Sequence, residues 1–106
     1  MVTVFADDDQ SYLAWIAANP SGFVLNVRTH DDPDYIVAHR ARCGTITSTR
    51  SPNAYTGRGY RKVCGATLAD LSTWSASHGR PDGSFSKLCG RCNPNCAVVA
   101  QRVRVC

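Results

Sequence analysis

A closely spaced cysteine pair, Cys89-x-x-Cys92, lies in a segment of small and turn-forming residues. Two thiolates at this spacing form a knuckle that can hold one side of a tetrahedral Zn²⁺ ion, with Zn–S distances of about 2.3 Å. A tetrahedral site needs two further ligands, and His39-x-x-x-Cys43 supplies a second close pair. The spacing therefore predicts a structural zinc site of the Cys₃His type, formed by His39, Cys43, Cys89 and Cys92.

The other cysteines leave alternatives open. Cys64 lies in an apolar, strand-like segment, which favours a buried core residue, although it could replace His39 as the fourth ligand. Cys96 follows Cys92 closely, and three clustered cysteines could also hold an iron–sulfur centre. The six cysteines could instead form three disulfides. Cys106 is expected to be a free thiol.

A basic segment lies between Tyr35 and Ala69, where Arg and Lys recur among Ser, Thr and Tyr and no acidic residue occurs. Basic groups neutralise phosphates, hydroxyls bond phosphate oxygens, and rings such as Tyr55 and Tyr60 can stack on bases. Arg91, inside the knuckle, could join this surface. We predict that the nucleic-acid-binding residues are Arg40, Arg42, Arg50, Arg58, Arg61, Lys62 and Arg91.

The acidic residues are concentrated at the start of the chain. Residues 1–37 carry six Asp and one Arg, although the whole chain has a net charge of +4. We expect Asp7–Asp9 to cap a helix and Asp31–Asp34 to form a turn. The alternative is that these carboxylates bind a hard cation. This acidic face could also dock on a protein partner. Alternatively, the basic segment is a solvated loop that balances the charge of the acidic face and binds no nucleic acid.

Periodicity and turn residues predict the elements that must position these side chains. The predicted elements are a helix from 7–9 to 19, a hairpin over 23–39, a loop over 41–59, a strand at 60–64, a helix at 67–78 and a C-terminal element, favoured as strand, at 97–105. The predicted class is α+β, in a single domain over 1–106. Zinc should tie the hairpin end to the knuckle and hold the second helix against the sheet. The expected core contains Leu13, Trp15 or Ile16, Phe23, Leu25, Ile36, Leu71 and Trp74.

Composition narrows the class of protein. With 106 residues and 43% hydrophobic residues, the chain can form a small core that a metal or disulfides would reinforce. No apolar run approaches the roughly 20 residues of a membrane span, so we expect no membrane contact. The acidic start lacks a leader pattern, which favours the cytoplasm, where clustered thiols stay reduced and bind metal.

The order His39-x-x-x-Cys43, strand, helix, Cys89-x-x-Cys92-x-Pro94 resembles the Ada-type zinc module, the metal-binding domain of bacterial alkylation-repair proteins. The resemblance covers roughly residues 37–94. It implies a small α+β fold with a structural zinc ion and a surface that faces DNA. His39 stands where that family has its methyl-accepting cysteine, so the resemblance extends to the scaffold and not to methyl transfer.

Patterns typical of enzymes are weak. The turn at 56–59 lacks the strand-to-helix context of a phosphate-binding loop, and no nucleophile–base signature is present. A zinc ion with four protein ligands also leaves no position for a reactive water. We therefore expect a non-enzymatic domain that binds nucleic acid, most simply DNA. The alternatives are an accessory module of a nucleic-acid or defence system and a metal-dependent nuclease that uses His39 or His78.

Overall fold

The computed structural model describes residues 2–46, 55–94, 97–98 and 104–105. Its elements are β1 (Val2–Phe5), α1 (Asp9–Ala18), β2 (Phe23–Arg28), β3 (Ile36–Arg40), a 3-10 turn (Gly44–Ile46), β4 (Tyr60–Gly65), α2 (Leu68–Ala76), β5 (Lys87–Leu88), β6 (Ala97–Val98) and β7 (Arg104–Val105). The predicted α+β class is confirmed.

Five strands form one mixed sheet in the order β1-β4-β2-β3-β5. Four of them pair antiparallel, and β5 runs parallel to β3. The predicted hairpin is the β2–β3 pair, with Val24 opposite His39. The C-terminal strands β6 and β7 form a separate two-stranded sheet.

Alternation along the strands divides the core between the two faces of the sheet. On one face, Val24 and Cys64 pack with Tyr12 of α1. On the other face, Leu25 and Val63 pack with α2. We call these the α1 face and the α2 face. Because consecutive strand residues point to opposite faces, this alternation decides which side chains can act together.

Both helices begin where their capping residues predict. The Asp8 carboxylate accepts a hydrogen bond from the Ser11 N–H, and the Thr67 hydroxyl accepts one from the Asp70 N–H. These side chains satisfy backbone donors that have no partner inside the helix. Beyond α2, Gly79 has a φ of 111°, and a Cβ there would lie 3.0 Å from the Pro33 ring.

The expected core is correct on the α2 face and partly wrong on the α1 face. Leu25, Ile36, Leu71 and Trp74 are buried, and Phe23 packs against them. Trp15 and Ile16 are partly buried against the other cluster. Leu13 is 38% exposed, and Tyr12 is fully buried in its place. The Tyr12 hydroxyl donates to the Ile46 carbonyl oxygen, so this large ring can be buried without an unpaired polar atom.

Two other expectations need correction. β1 was not predicted from the sequence, because four residues next to an Asp run give little periodic signal. The second helix packs on the α2 face through Leu71 and Trp74. The predicted zinc ligand His39 is in register with Val24 of the α1 face, so a metal ion there does not hold α2 directly.

In the part of the chain that the structure describes, neither helix has the length and apolar run needed to cross a bilayer.

Thr56 joins the segment before β4 to the start of α1. Its hydroxyl accepts from the Asp8 N–H at 2.7 Å and donates to the Asp9 carboxylate at 2.6 Å. Its backbone N–H donates to the same carboxylate, and its carbonyl oxygen accepts from the Asp7 N–H. These bonds fix the approach of the chain to α1.

Replacing Thr56 with Val should lower the free energy of unfolding by about 1–3 kcal/mol, because the part-buried hydrogen bonds of its hydroxyl to the Asp8 N–H and the Asp9 carboxylate are lost. Urea denaturation measures the change. The exposed Thr29 provides the matched control, and Thr29→Val should change stability by less than about 0.5 kcal/mol. Equal effects for the two substitutions would contradict the role given to Thr56.

Candidate metal centre and its basic surroundings

His39, Cys43, Cys89 and Cys92 converge at the end of the sheet where β3 ends. Their ligand atoms all lie within 4.8 Å of one another. The sulfur atoms of Cys43 and Cys89 are 3.8 Å apart. The four predicted ligands therefore form one cluster that could hold a metal ion.

Backbone hydrogen bonds position the two halves of the cluster. The Cys89 N–H donates to the Ala38 carbonyl oxygen, which extends the β3–β5 ladder to the first knuckle residue. The Cys43 N–H donates to the Arg40 carbonyl oxygen and turns the chain back after β3. The cluster is thus assembled by the sheet and the turn that follows it.

Arg40 ties the knuckle to β3. Its backbone N–H donates to the Cys92 sulfur at 3.2 Å. Its guanidinium group donates to the carbonyl oxygens of Cys92 and Asn93 at 2.9 and 3.1 Å. Asn93 has a φ of 46°, a left-handed conformation that Asn tolerates well, and its N–H donates to the Cys89 carbonyl oxygen. These bonds close the loop around the sulfur atoms.

The cluster is largely shielded from solvent. His39, Cys43 and Cys89 are each less than 9% exposed, and Cys92 is partly buried. Burial lowers the pKa of His39 to about 4, with Lys62 and Lys87 acting in the same direction. The imidazole is therefore neutral at pH 7, which is the form that binds metals.

The thiols differ in acidity. Burial tends to raise the pKa of Cys89, but hydrogen bonds from the backbone N–H groups of Cys92 and Arg91 and from the Cys92 and Cys43 thiols together outweigh it and lower the pKa to about 7. Burial, with hydrogen bonds to neighbouring thiols, raises the pKa of Cys92 to about 12. The Cys89 thiolate is thus favoured while Cys92 keeps its proton. A cation among the sulfurs would stabilise all three as thiolates.

The separation of the sulfur atoms fits tetrahedral coordination. Metal–sulfur bonds of about 2.3 Å at tetrahedral angles place two sulfurs about 3.8 Å apart. Cys43 and Cys89 have this separation. Side chains from β3, the turn after it and the knuckle supply three sulfurs and one imidazole nitrogen, which makes a complete set of four ligands.

Cys64 does not belong to the metal cluster. It is 1% exposed in the α1-face core, and burial raises its pKa to about 12. It therefore behaves as a small apolar core residue. Cys43, Cys64, Cys89 and Cys92 are all thiols, so no disulfide forms among the described cysteines. Cys96 and Cys106 lie outside the described residues.

The remaining histidines and aspartates have local roles. His30 is exposed, whereas His78 stacks on Trp74 with ring centroids 3.9 Å apart. Asp8 caps α1. Asp32 accepts the Asp34 N–H within the predicted turn. These contacts match the helix cap and turn expected from the sequence.

Strand alternation separates two of the predicted nucleic-acid ligands. Lys62 is 4% exposed on the α1 face, where its ammonium group donates to the Asn26 side chain and the Tyr55 carbonyl oxygen. Arg61 points to the α2 face, where its guanidinium lies 5.6 Å from the Trp74 ring centroid and pairs with Asp31 at 2.9 Å. The Lys62 ammonium group is therefore buried away from the exposed basic side chains, and its part in nucleic-acid binding stays a prediction.

The exposed basic side chains lie at two ends of the sheet. Arg42 and Arg91 are exposed and adjoin the ligands Cys43 and Cys89–Cys92. Arg58 is also exposed but precedes β4 at the opposite end. Six strand residues separate the two ends, about 20 Å at 3.3 Å per residue. Arg50 lies outside the described residues.

Sequence reasoning missed Lys87. It is exposed on β5, in register with Val37 and therefore on the same face as His39. Its position two residues before Cys89 was the available signal, but strand alternation was needed to place it on the metal face. We call Arg42, Lys87 and Arg91 the basic end; residues 36–46 and 86–94 around it contain no Asp or Glu.

The predicted stacking rings are not at the basic end. Tyr55 is 9% exposed in the α1-face core. Tyr60 is partly buried at the opposite end of the sheet, where the Arg28 guanidinium lies 4.8 Å from its ring centroid. The aspartates of the cap and the turn lie at that end too, after β1 and between β2 and β3. The predicted stacking rings and the aspartates of the cap and the turn therefore lie away from the basic end.

No protein-family model matches the chain, no curated protein matches it in sequence, and no solved structure matches it. The resemblance to the Ada-type module therefore stays a prediction from the motif.

Purified protein should contain about one metal ion per chain by elemental analysis, and Cys89→Ala should lose it. Metal at 1,000 times its dissociation constant stabilises the folded state by about 4 kcal/mol, so the variant should unfold more easily. Cys64→Ala is the control, since this cysteine lies outside the cluster and should keep the metal. Equal metal loss in both variants would contradict the ligand assignment.

The buried Lys62 should make stability depend on pH. Burial lowers its pKa to about 8, against the opposing effect of Asp9. An unfolded lysine has a pKa near 10.4, so between these values the unfolded state holds more protons and stability rises with pH. Relative to Lys62→Met, the wild type should gain up to about 3 kcal/mol between pH 7 and pH 10.5. Urea denaturation at each pH tests this, and a difference independent of pH would refute it.

Proposed function

We propose that the protein is a structural zinc domain that binds nucleic acid through its basic end. The observation that supports the metal is the convergence of three thiols and one imidazole within 4.8 Å. Soft sulfur ligands with imidazole in a tetrahedral set favour Zn²⁺ over oxygen-preferring cations such as Mg²⁺. Because the chain supplies four ligands, the expected role of zinc is structural.

The chain's own residues would contact the nucleic acid. Arg42 precedes the ligand Cys43, and Arg91 lies between the ligands Cys89 and Cys92. A metal that fixes these segments would also fix the backbone from which both arginines extend. Lys87 adds a third cation on the same face as His39. Arginine forms bidentate bonds with phosphate oxygens, and lysine neutralises them as a compact charge.

The charge distribution supports phosphate contacts at this end. No acidic residue interrupts the two segments that carry the basic end, whereas the Asp-rich turn and helix cap lie at the far end of the sheet. A polyanion would therefore meet cations without an acidic neighbour in these two segments. We infer binding through phosphate contacts without base stacking by Tyr55 and Tyr60, because Tyr55 is buried and Tyr60 lies at the opposite end of the sheet.

The resemblance to the Ada-type module agrees with this proposal in scaffold only. A buried neutral His39 can donate its nitrogen lone pair to zinc, but it is not a thiolate that could accept a methyl group. We therefore propose binding without transfer chemistry. The absence of methyl transfer would distinguish this chain from the alkylation-repair proteins.

The double variant Arg42→Ala/Arg91→Ala should weaken binding to a fluorescein-labelled duplex DNA by at least about tenfold, or about 1.4 kcal/mol. Each lost phosphate contact should also reduce the salt slope of log K by about 0.9. Fluorescence anisotropy over a salt series measures both quantities.

Arg58→Ala is the matched control, because Arg58 is also an exposed arginine but lies at the opposite end of the sheet. It should leave affinity and salt slope nearly unchanged. If metal-loaded wild-type protein binds neither duplex nor single-stranded DNA or RNA at low salt, the nucleic-acid function is wrong. Equal losses from the Arg58 control and the double variant would instead reject the basic end as the contact surface.

A further inference from the structure

The four candidate ligands differ in what holds them in place. His39 belongs to β3, the Cys89 N–H extends the β3–β5 ladder, and Cys43 follows in the turn after β3. Cys92 lies in a turn outside the strands. Arg40 donates two hydrogen bonds to it, from its backbone N–H to the sulfur at 3.2 Å and from its guanidinium group to the carbonyl oxygen at 2.9 Å. The position of Cys92 therefore depends on Arg40.

The Arg40 side chain leaves β3 on the face opposite to His39. Arg40 is in register with Phe23, and its guanidinium carbon lies 5.9 Å from the Phe23 ring centroid. Phe23 packs against the α2-face core, whereas His39, one residue earlier on the strand, belongs to the α1 face. The guanidinium group therefore reaches the knuckle from the α2 face. A metal bound by His39 would hold the same knuckle from the α1 face.

The guanidinium group restrains two successive peptide units of the knuckle. Its Nε donates to the Cys92 carbonyl oxygen at 2.9 Å, and its Nη2 donates to the Asn93 carbonyl oxygen at 3.1 Å. A guanidinium group is planar and presents its donors in a rigid fork, so it fixes the two carbonyl groups relative to each other. Fixing these groups also restricts rotation of the backbone from which the Cys92 sulfur extends.

We propose that Arg40 is a positioning residue for the metal, whose guanidinium group orients Cys92 and thereby sets the affinity for zinc and the rate of its release. Groups that orient metal ligands without binding the metal typically contribute about 10–100-fold to metal affinity. The inference rests on the metal centre of the proposed function and is independent of nucleic-acid binding. It gives Arg40 a role at the metal in place of the phosphate contact predicted from the sequence.

Arg80 provides a matched control for a purely structural role. Like Arg40 it is partly buried, and its guanidinium group donates to the carbonyl oxygens of Pro33 and Ser84 at 2.7 and 3.2 Å. Pro33 precedes β3, whereas the metal cluster lies where β3 ends. Arg40→Met and Arg80→Met each remove two guanidinium–carbonyl contacts and keep an unbranched side chain. Both should lower the free energy of unfolding, but the first alone should change metal binding.

Competition with a chromophoric chelator measures the zinc dissociation constant of the folded full chain, with circular dichroism as the check on folding. Arg40→Met should raise this constant at least about tenfold and speed zinc transfer to the chelator. Arg80→Met should leave it within about twofold of the wild type. Arg40→Lys keeps the charge but not the two-donor fork, so its dissociation constant should lie between those of the wild type and Arg40→Met.

Absorption spectra with Co²⁺ in place of zinc show whether the ligands themselves are retained, since the same donor set binds both ions. At saturating Co²⁺, Arg40→Met should keep the thiolate-to-cobalt absorption of the wild type, whereas Cys92→Ala should lose part of it. If the wild type binds neither ion, the metal centre is wrong and this inference fails with it. If the wild type binds zinc and both Arg40 variants bind it equally well, or if Arg80→Met weakens binding as much as Arg40→Met, the positioning role alone is rejected.

Discussion

The joining of β3 to the knuckle is the interaction on which the rest of the site depends. The Cys89 N–H extends the β3–β5 ladder, and Arg40 binds the knuckle through one backbone and two guanidinium hydrogen bonds. These bonds bring His39 and the three thiols together before any metal contributes. Three sulfurs in such close contact would repel one another as thiolates, so a cation is the physical complement of this geometry. The metal and the backbone hydrogen bonds then stabilise the same arrangement.

The two-residue alternation of β-strands controls the other functional properties. It places Lys87 on the face of His39, and it sends the adjacent Arg61 and Lys62 to opposite faces. A run of basic residues in the sequence is therefore not one basic surface in the fold. What remains exposed beside the metal cluster comes from two segments far apart in sequence, which the sheet brings together.

Local signals in the sequence predicted much of the fold. Helix caps at Asp8 and Thr67, the apolar hairpin over 23–39 and the two ligand pairs each depend on residues close together in the chain. The errors have a different origin. Leu13 and Tyr12 are adjacent on α1, and only the acceptor at Ile46, far along the chain, shows why the polar ring is buried. The burial of Lys62 similarly depends on Asn26, which belongs to a neighbouring strand.

X-ray absorption spectroscopy at the metal edge of the purified protein tests the central claim most directly, because it reports the atoms bound to the metal. The account predicts zinc with three sulfur neighbours at about 2.3 Å and one imidazole nitrogen at about 2.0 Å. Substitution of His39 by Ala should remove the nitrogen contribution while the sulfur shell persists. A metal bound mainly by oxygen, or a shell in which Cys64 replaces a cluster residue, would contradict the assignment.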